Sequence, residues 1–352
     1  MEFTLPKKSY FAAANGFTGF RSYFEAVFNP KDFLRLYVIK GGPGTGKSTL
    51  MKRISNHFSD QYAVEAIFCS SDKNSLDGII VNTKKGKIAL LDGTAPHETD
   101  AKIPGAIDKI VNLGNAWNEN LLVKKREEIV NINSRKKSHY RTAYEYLGLA
   151  GMFFDKTFNY IKTAYQKNDT QIINDILFDI PHLECGSNYN TRLISSFGKD
   201  GYSRLDSIKS IAKKKVSIGG TYGSEFIFMK RLAAALESRG APHIRFLSPF
   251  CDSLIEGVLI PDSDMLIIVG NEFAEKIDTS VFLEYDLIEE SEEVIEYYLK
   301  KFDELLERSR KEFSSASTQH FELEKIYSDA MNFREIDLVR NKIIEEITEL
   351  AK

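Results

Sequence analysis

Residues 41–49 read Gly-Gly-Pro-Gly-Thr-Gly-Lys-Ser-Thr, and few stretches of nine residues restrict a fold so tightly. The spacing from Gly41 to Gly46, Lys47 and Ser48 fits the pattern G-x-x-x-x-G-K-[ST], in which each position has a physical task. Glycines let the main chain turn sharply and aim successive N–H groups inward, making a concave anion-binding surface. Gly41, Gly42, Pro43, Gly44, Thr45 and Gly46 supply that surface, and Thr49 carries the chain on into a helix. Lys47 is the point charge expected to reach the β- and γ-phosphates of a nucleotide, and the Ser48 hydroxyl is the expected Mg²⁺ ligand. The helix turns its positive N-terminal end toward the same anion. The flanks agree with this reading. Leu34-Arg-Leu-Tyr-Val-Ile39 is rich in strand formers, and Leu50, Ile54 and Phe58 recur at helical spacing.

A triphosphate site of this kind needs a second strand ending in an acid that holds the metal's water shell. Lys87-Ile-Ala-Leu-Leu-Asp92 fits, with Gly93 where the chain leaves the sheet, so Asp92 is the expected metal-side carboxylate. The position after it, Gly93, carries no glutamate, and a general base must come from elsewhere in Thr94–Asp100. His97, Glu98 and Asp100 are candidates, His97 foremost because its pKa lies near working pH. A third strand, Tyr62–Cys69, runs into Ser70-Ser-Asp-Lys-Asn-Ser-Leu-Asp-Gly78, which brings Asp72 toward the crevice. Asp77 before Gly78 reads as a turn residue.

The chain repeats itself. Gly41-Gly42 and Gly219-Gly220 stand 178 residues apart, and so do Met51-Lys52-Arg53 and Met229-Lys230-Arg231. Ser75-Leu76 meets Ser253-Leu254 at the same offset, and Ile88–Leu91 has its counterpart in Met265–Val269. The positions that chemistry needs are lost in the second copy. Gly46, Lys47, Ser48 and Thr49 fall on Ser224, Glu225, Phe226 and Ile227, and Val269 runs into Gly270 where Asp92 precedes Gly93. A carboxylate replaces the phosphate-binding ammonium and a phenyl ring replaces the metal-ligating hydroxyl, so this copy is expected to be a dead one.

Helical stretches follow each core. No proline occurs between Pro104 and Pro181, and no glycine or proline after Gly270. Residues 106–180 carry apolar positions at helical spacing, among them Ile107, Ile110, Val111 and Leu121-Leu122. Residues 289–347 do the same with Val294, Tyr298, Phe302, Phe313, Ile343 and Ile347. Arg135-Lys-Lys137, with His139, Tyr140 and Arg141, is the one basic cluster beside an aromatic residue. Glu127, Glu128 and Glu145 flank it, which favours a solvated helix face. With 47 basic and 50 acidic residues the formal net charge is −3, which disfavours nucleic acid as a partner of the whole surface. No apolar run approaches the roughly 18 residues of a membrane span, and the N-terminal residues lack the apolar core of a secretory signal. Cys69, Cys185 and Cys251 form no Cys-x-x-Cys pair. A cytoplasmic protein is expected.

The loop resembles that of the P-loop NTPase superfamily. Gly41–Lys52, then Ser-Leu-Asp-Gly78, then Leu-Asp-Gly-Thr-Ala-Pro-His97 make the chain similar to a bacterial family of ATPase-like proteins with two tandem P-loop domains. The resemblance implies an α/β fold with two three-layer P-loop cores and long helical arms. Residues 1–104 would be the nucleotide-binding core, 105–185 a helical arm, 186–288 the degenerate core and 289–352 a C-terminal arm. It also implies ATP binding with Mg²⁺, carried by Gly41, Gly46, Lys47, Ser48 and Asp92. ATP is favoured over GTP because no Asn-Lys-x-Asp guanine-reading motif is present. The expected activity is Mg²⁺-dependent ATP hydrolysis at one live site, with an arginine from the second copy (Arg192, Arg204 or Arg245) as a possible finger. The rivals are a small-molecule or nucleotide kinase with its acceptor near Asp72, and a nucleotide-gated module that meets a protein partner through its arms.

Overall fold

The structure, a computed structural model, describes residues 3–96, 98–166, 168–182 and 189–352. Its N-terminal half opens with β1 (Lys8–Phe11), a hairpin of β2 (Ala13–Gly16) and β3 (Gly19–Ser22), and the single turn α1 (Phe24–Val27). The strand β4 (Phe33–Lys40) leads into α2 (Lys47–Phe58), followed by β5 (Ala63–Phe68), β6 (Leu76–Asn82), β7 (Lys87–Asp92) and β8 (Asp108–Asn112). An arm of α3 (Glu119–Lys124), α4 (Arg126–Ala164) and α5 (Thr170–Leu177) completes it.

The C-terminal half runs through the same series. It has β9 (Tyr189–Arg192), a hairpin of β10 (Ser195–Gly198) and β11 (Gly201–Arg204), then β12 (Lys214–Gly219) and α6 (Ser224–Ser238). After these come β13 (His243–Leu247), β14 (Ile255–Ile260), β15 (Met265–Val269) and β16 (Glu275–Asp278), and an arm of α7 (Tyr285–Glu289), α8 (Glu292–Asp329) and α9 (Phe333–Ala351).

The strand order is β1-β5-β6-β7-β4-β8 in one sheet and β9-β13-β14-β15-β12-β16 in the other. In both, the third strand runs antiparallel to its two neighbours and every other pairing is parallel. The duplication read from the sequence is therefore repeated strand by strand in two six-stranded mixed sheets.

The central strand β4 shows how each sheet is buried. Leu36, Tyr37, Val38 and Ile39 are all solvent-excluded, as expected of a strand covered on both faces. Alternate residues face opposite ways. Tyr37 and Ile39 join Leu50, Met51, Ile54 and Phe58 of α2, with Ile336, Ile343 and Ile347 of α9 outside them. Leu36 and Val38 enter another cluster, where they meet Phe24 and Val27 of α1 together with Phe246, Leu259, Leu266 and Ile268 of the second half. Each sheet thus has a helical layer on one face and shares the core of its other face with the opposite half. This revises the expected three-layer sandwich around each half.

The arms also differ from the expected plan. Ile110 and Val111 lie in β8, paired in parallel with β4, so the first sheet continues past residue 104. Three apolar residues within five positions fit a helix as well as a strand, and backbone pairing with β4 decides between them. Each arm then crosses to the other half. The helices α4 and α8 pack antiparallel along their lengths, with Arg135 Nε donating to Gln319 Oε1 (2.7 Å) and Ser309 Oγ donating to the Ala143 carbonyl (2.9 Å). The α5 helix lies against α6, sharing a core in which Ile173 and Leu177 meet Phe228, Leu232 and Leu236. The α9 helix lies against α2. Matched backbone bonds tie the crossings: Asn118 N–H to Ala330 (2.8 Å) mirrors Glu284 N–H to Ala164 (2.9 Å), and Asn332 N–H to Ala116 (2.9 Å) mirrors Gln166 N–H to Phe282 (2.7 Å). Among the described residues no helix is long and apolar enough to cross a membrane.

Candidate functional site

Six residues, Gly41–Gly46, separate the end of β4 from the start of α2. Gly44 (φ 70°) and Gly46 (φ 85°) hold left-handed backbone, which glycine adopts without steric cost. The Thr45 hydroxyl donates to the Gly42 carbonyl (2.9 Å) and braces the turn from within. Among the described residues the backbone N–H groups of Gly44, Thr45 and Gly46 donate no hydrogen bond. Three adjacent donors without acceptors at the start of a helix form a surface suited to an anion.

The side chains converge there. The Lys47 ammonium donates to the carbonyls of Gly41 and Gly42 (2.8 Å each) and stands 3.5 Å from Asp92 Oδ2. The Ser48 hydroxyl accepts the Leu76 N–H (2.9 Å). Asp92 ends β7, and its Oδ1 accepts the Thr94 N–H (2.9 Å) and hydroxyl (2.5 Å). Burial raises the Asp92 pKa above the usual aspartate value, and Lys47 and Thr94 only partly counter it, while Asp77 adds to the rise. Asp77 itself is not a turn residue. It lies in β6, only 5 % exposed, beside Gly78, whose missing side chain makes room for the Phe28 ring.

These groups line a cleft of about 1000 Å³ across the carboxyl ends of β4, β7 and β5, from the loop past Asp92 to Ser70, Ser71 and Asp72. The arms form its far wall. Lys136, Lys137 and Tyr140 come from α4, and His320, Glu324 and Lys325 from α8. A methyl group added to Gly44 would run into the Glu324 carbonyl, so α8 rests directly on the loop. The basic run read as a solvated face is therefore divided. Arg135 and His139 pair across to α8, with Glu322 (3.5 Å) and Glu312 (2.7 Å), while Lys136 and Lys137 face the cleft. That run was the only sign of the far wall in the sequence, because helical spacing does not say what a face looks upon.

Other expected residues are placed elsewhere. Thr94, Ala95 and Pro96 border the cleft, but Glu98 is exposed and is not among the residues lining it. Asp100 pairs with Lys40 (2.9 Å). His97 and Cys185 lie outside the described residues. Asp72 lines the cleft and pairs with Lys199 (3.2 Å) from the β10–β11 turn. No arginine lines the cleft among the described residues. Arg192 donates to the Thr191 carbonyl (2.9 Å). Arg204 donates to the Val269 carbonyl (2.8 Å) and pairs with Glu272, and Arg245 stacks on Tyr189 and pairs with Glu237.

In the second half only four residues, Gly220–Gly223, separate β12 from α6. Gly93 N–H bonds to the Ile39 carbonyl (2.9 Å) as Gly270 N–H does to Ile218 (3.0 Å), so Gly41 corresponds to Gly220, one residue beyond the sequence match. Along the helices Leu50, Met51, Ile54 and Phe58 are buried in the same phase as Phe228, Met229, Leu232 and Leu236. That phase keeps Lys47 opposite Glu225 and Ser48 opposite Phe226, so α6 begins one residue earlier in phase than α2 and the loop is one residue shorter in register. Glu225 Oε2 is buried without a hydrogen-bond partner, and its pKa is raised by burial. Asp77 corresponds to Glu256, which is buried against the hydroxyls of Ser195 and Tyr202.

No protein-family model, curated protein or solved structure matches this chain.

Proposed function

We propose that the chain binds Mg²⁺·ATP on Gly41–Thr49 and hydrolyses it, as a P-loop NTPase with one live core and one degenerate copy. The observation that carries this reading is the convergence of three free backbone N–H groups with Lys47, Ser48 and Asp92 on one side of a large cleft. A nucleotide's phosphates are the anion that such a donor set fits best, because the ammonium of Lys47 can leave two carbonyls and a carboxylate for a multiply charged partner. ATP is preferred on the sequence ground that a guanine-reading motif is lacking.

The donor set also fits a magnesium ion. Ser48 and Asp92 offer hard oxygen atoms at the loop, and Mg²⁺ is commonly held by one or two protein oxygens with water and phosphate completing the shell. Ser48 would ligate the ion and Asp92 its water shell; when bound, the ion would neutralise charge on the phosphates. The chain's own contribution is to position and to neutralise. The loop fixes the phosphates, Lys47 offsets their charge, and the α8 helix over Gly44 limits access of water. The base that activates water is assigned to the segment after Asp92, with His97 as the candidate, since Thr94–Pro96 border the cleft and Glu98 does not.

The extension of the cleft to Ser70, Ser71 and Asp72 supports a second reading, in which an acceptor there takes the phosphoryl group. Phosphate release by the purified chain separates the two. Hydrolysis requires release with ATP and Mg²⁺ alone, abolished by chelation and reduced roughly 10–100-fold in Asp92→Asn, with metal-free nucleotide binding retained. Release that appears only with an added acceptor supports transfer, and a chain that neither binds nor turns over ATP refutes both.

A further inference from the structure

The two halves supply an internal comparison. Arg126 and Glu292 begin α4 and α8 and stand 166 residues apart, as do Ala143 and Ser309, which bond to each other where the helices cross. The same offset relates Phe158, whose ring lies 3.4 Å from a methyl group built on Gly223 of the second loop, to Glu324, which packs on Gly44 of the first. It also relates Lys136 to Phe302 and His320 to Phe154. In the hairpins, Gly19 and Gly201 share positive φ, and the first residue of each turn is Phe17 in one half and Lys199 in the other.

The second crevice is closed by these aromatic rings. Phe17 packs on Phe154 (5.8 Å between centroids) and on Phe302 (6.2 Å), and Phe154 packs on Phe158 (5.4 Å) and Phe226 (6.5 Å). At the matching places the first crevice has His320, Lys136 and Glu324 lining open space, with Lys199 behind Asp72. Three of the four have partners: Lys199 pairs with Asp72 (3.2 Å), and His320 with Glu324 (3.5 Å). Lys136 is half-buried at the cleft wall and makes no ion pair or hydrogen bond among the described residues. Burial, reinforced by the neighbouring charge of Lys137, lowers its pKa below the usual lysine value, and Glu324 offsets this only in part. A desolvated ammonium without an ion-pair partner is unfavourable in the free protein, and an anion in the cleft lowers that cost.

We propose that Lys136, with Lys137 at the rim, binds the phosphate chain of the nucleotide from the wall opposite the loop, so that the α4–α8 arm clamps the triphosphate. The proposal rests on the nucleotide reading of Gly41–Thr49. The arm then takes the role expected of an arginine from the second copy, and it does so with a residue whose counterpart in the dead crevice is phenylalanine. Because Lys136 and the loop hold the same anion from two sides, nucleotide binding and the seating of α8 on Gly44 favour each other.

Titration calorimetry of the intact chain, with the non-hydrolysable ATP analogue and with ADP, each with Mg²⁺, tests this against Lys136→Met, Lys136→Gln, Lys136→Arg and Lys47→Ala. Both neutral variants are expected to bind the triphosphate analogue about tenfold or more weakly, with a smaller loss for ADP, and the arginine variant to recover most of the affinity. Thermal unfolding identifies any variant that is not folded, and two neutral replacements on a helix surface give two chances of a folded one. Folded Lys136→Met or Lys136→Gln protein that binds both nucleotides like the parent, while Lys47→Ala loses them, overturns the clamp and leaves the loop reading intact. A parent chain that binds neither nucleotide overturns the loop reading itself, and the clamp with it.

Discussion

At the place of Lys47 the second half carries Glu225, and the exchange has a cost that can be measured without any ligand. The carboxylate lies in the first turn of α6, where the helix end favours negative charge. Burial outweighs this and its own backbone contact, and raises the pKa. A group whose folded pKa lies above its unfolded value holds its proton more tightly in the fold. Its contribution therefore favours folding at low pH and is lost as pH rises from the ordinary glutamate value through the raised one. Glu225→Gln is neutral throughout. Its thermal midpoint should lie close to the parent's near pH ~4, where a glutamate still carries much of its proton, and above the parent's near pH ~8. A midpoint difference that does not change with pH would mean that Glu225 is not buried as a charge. Asp92 shows the opposite use of a buried carboxylate: Lys47 and Thr94 oppose its shift, and the group remains able to meet a cation.

The strand–loop–helix element makes a second, graded test. Gly44 and Gly46 both hold left-handed backbone, which costs an alanine about 1–2 kcal/mol. Gly46 has only the Phe333 ring nearby, 3.6 Å from an added methyl, whereas a methyl on Gly44 meets the backbone of α8. Overpacking adds roughly 1–3 kcal/mol, so Gly44→Ala should lose about 2–5 kcal/mol and Gly46→Ala about 1–2 in denaturant unfolding. Equal losses would contradict the seating of α8 on the loop. This element was legible in the sequence because its demands are local: glycines for the turn, strand formers before it, and helical spacing after it. Asp92 at the end of β7 was legible for the same reason. The far wall was not, because the facing of Lys136 depends on α4 meeting α8, which lies more than 150 residues further along the chain. Asp77 was missed because an acid before glycine looks like a turn, while Gly78 is there to make room for Phe28. Ile110 and Val111 fit a helix until β4 offers them a partner strand.

Across the whole molecule, two copies of one topology exchange their arms, and each crevice is completed by helices from both halves. In the proposed reading, the exchange gives a reason for the second copy to persist without the loop residues of the first. Its α8 covers the first loop, its α9 packs on α2, and its hairpin sends Lys199 to Asp72. Its own crevice has a shorter loop, Glu225 for Lys47, Phe226 for Ser48 and a filling of aromatic rings. A carboxylate beside a polyphosphate adds repulsion where attraction is needed, on the order of several kcal/mol at the dielectric of a partly buried site. One nucleotide per chain, held by the first loop, is therefore expected. Calorimetric titration of the intact protein with the non-hydrolysable ATP analogue and Mg²⁺ reads that number directly. We predict a single site, weakened about tenfold to a hundredfold in Lys47→Ala. Two equivalent sites, or one site that Lys47→Ala leaves at full strength, would contradict the account.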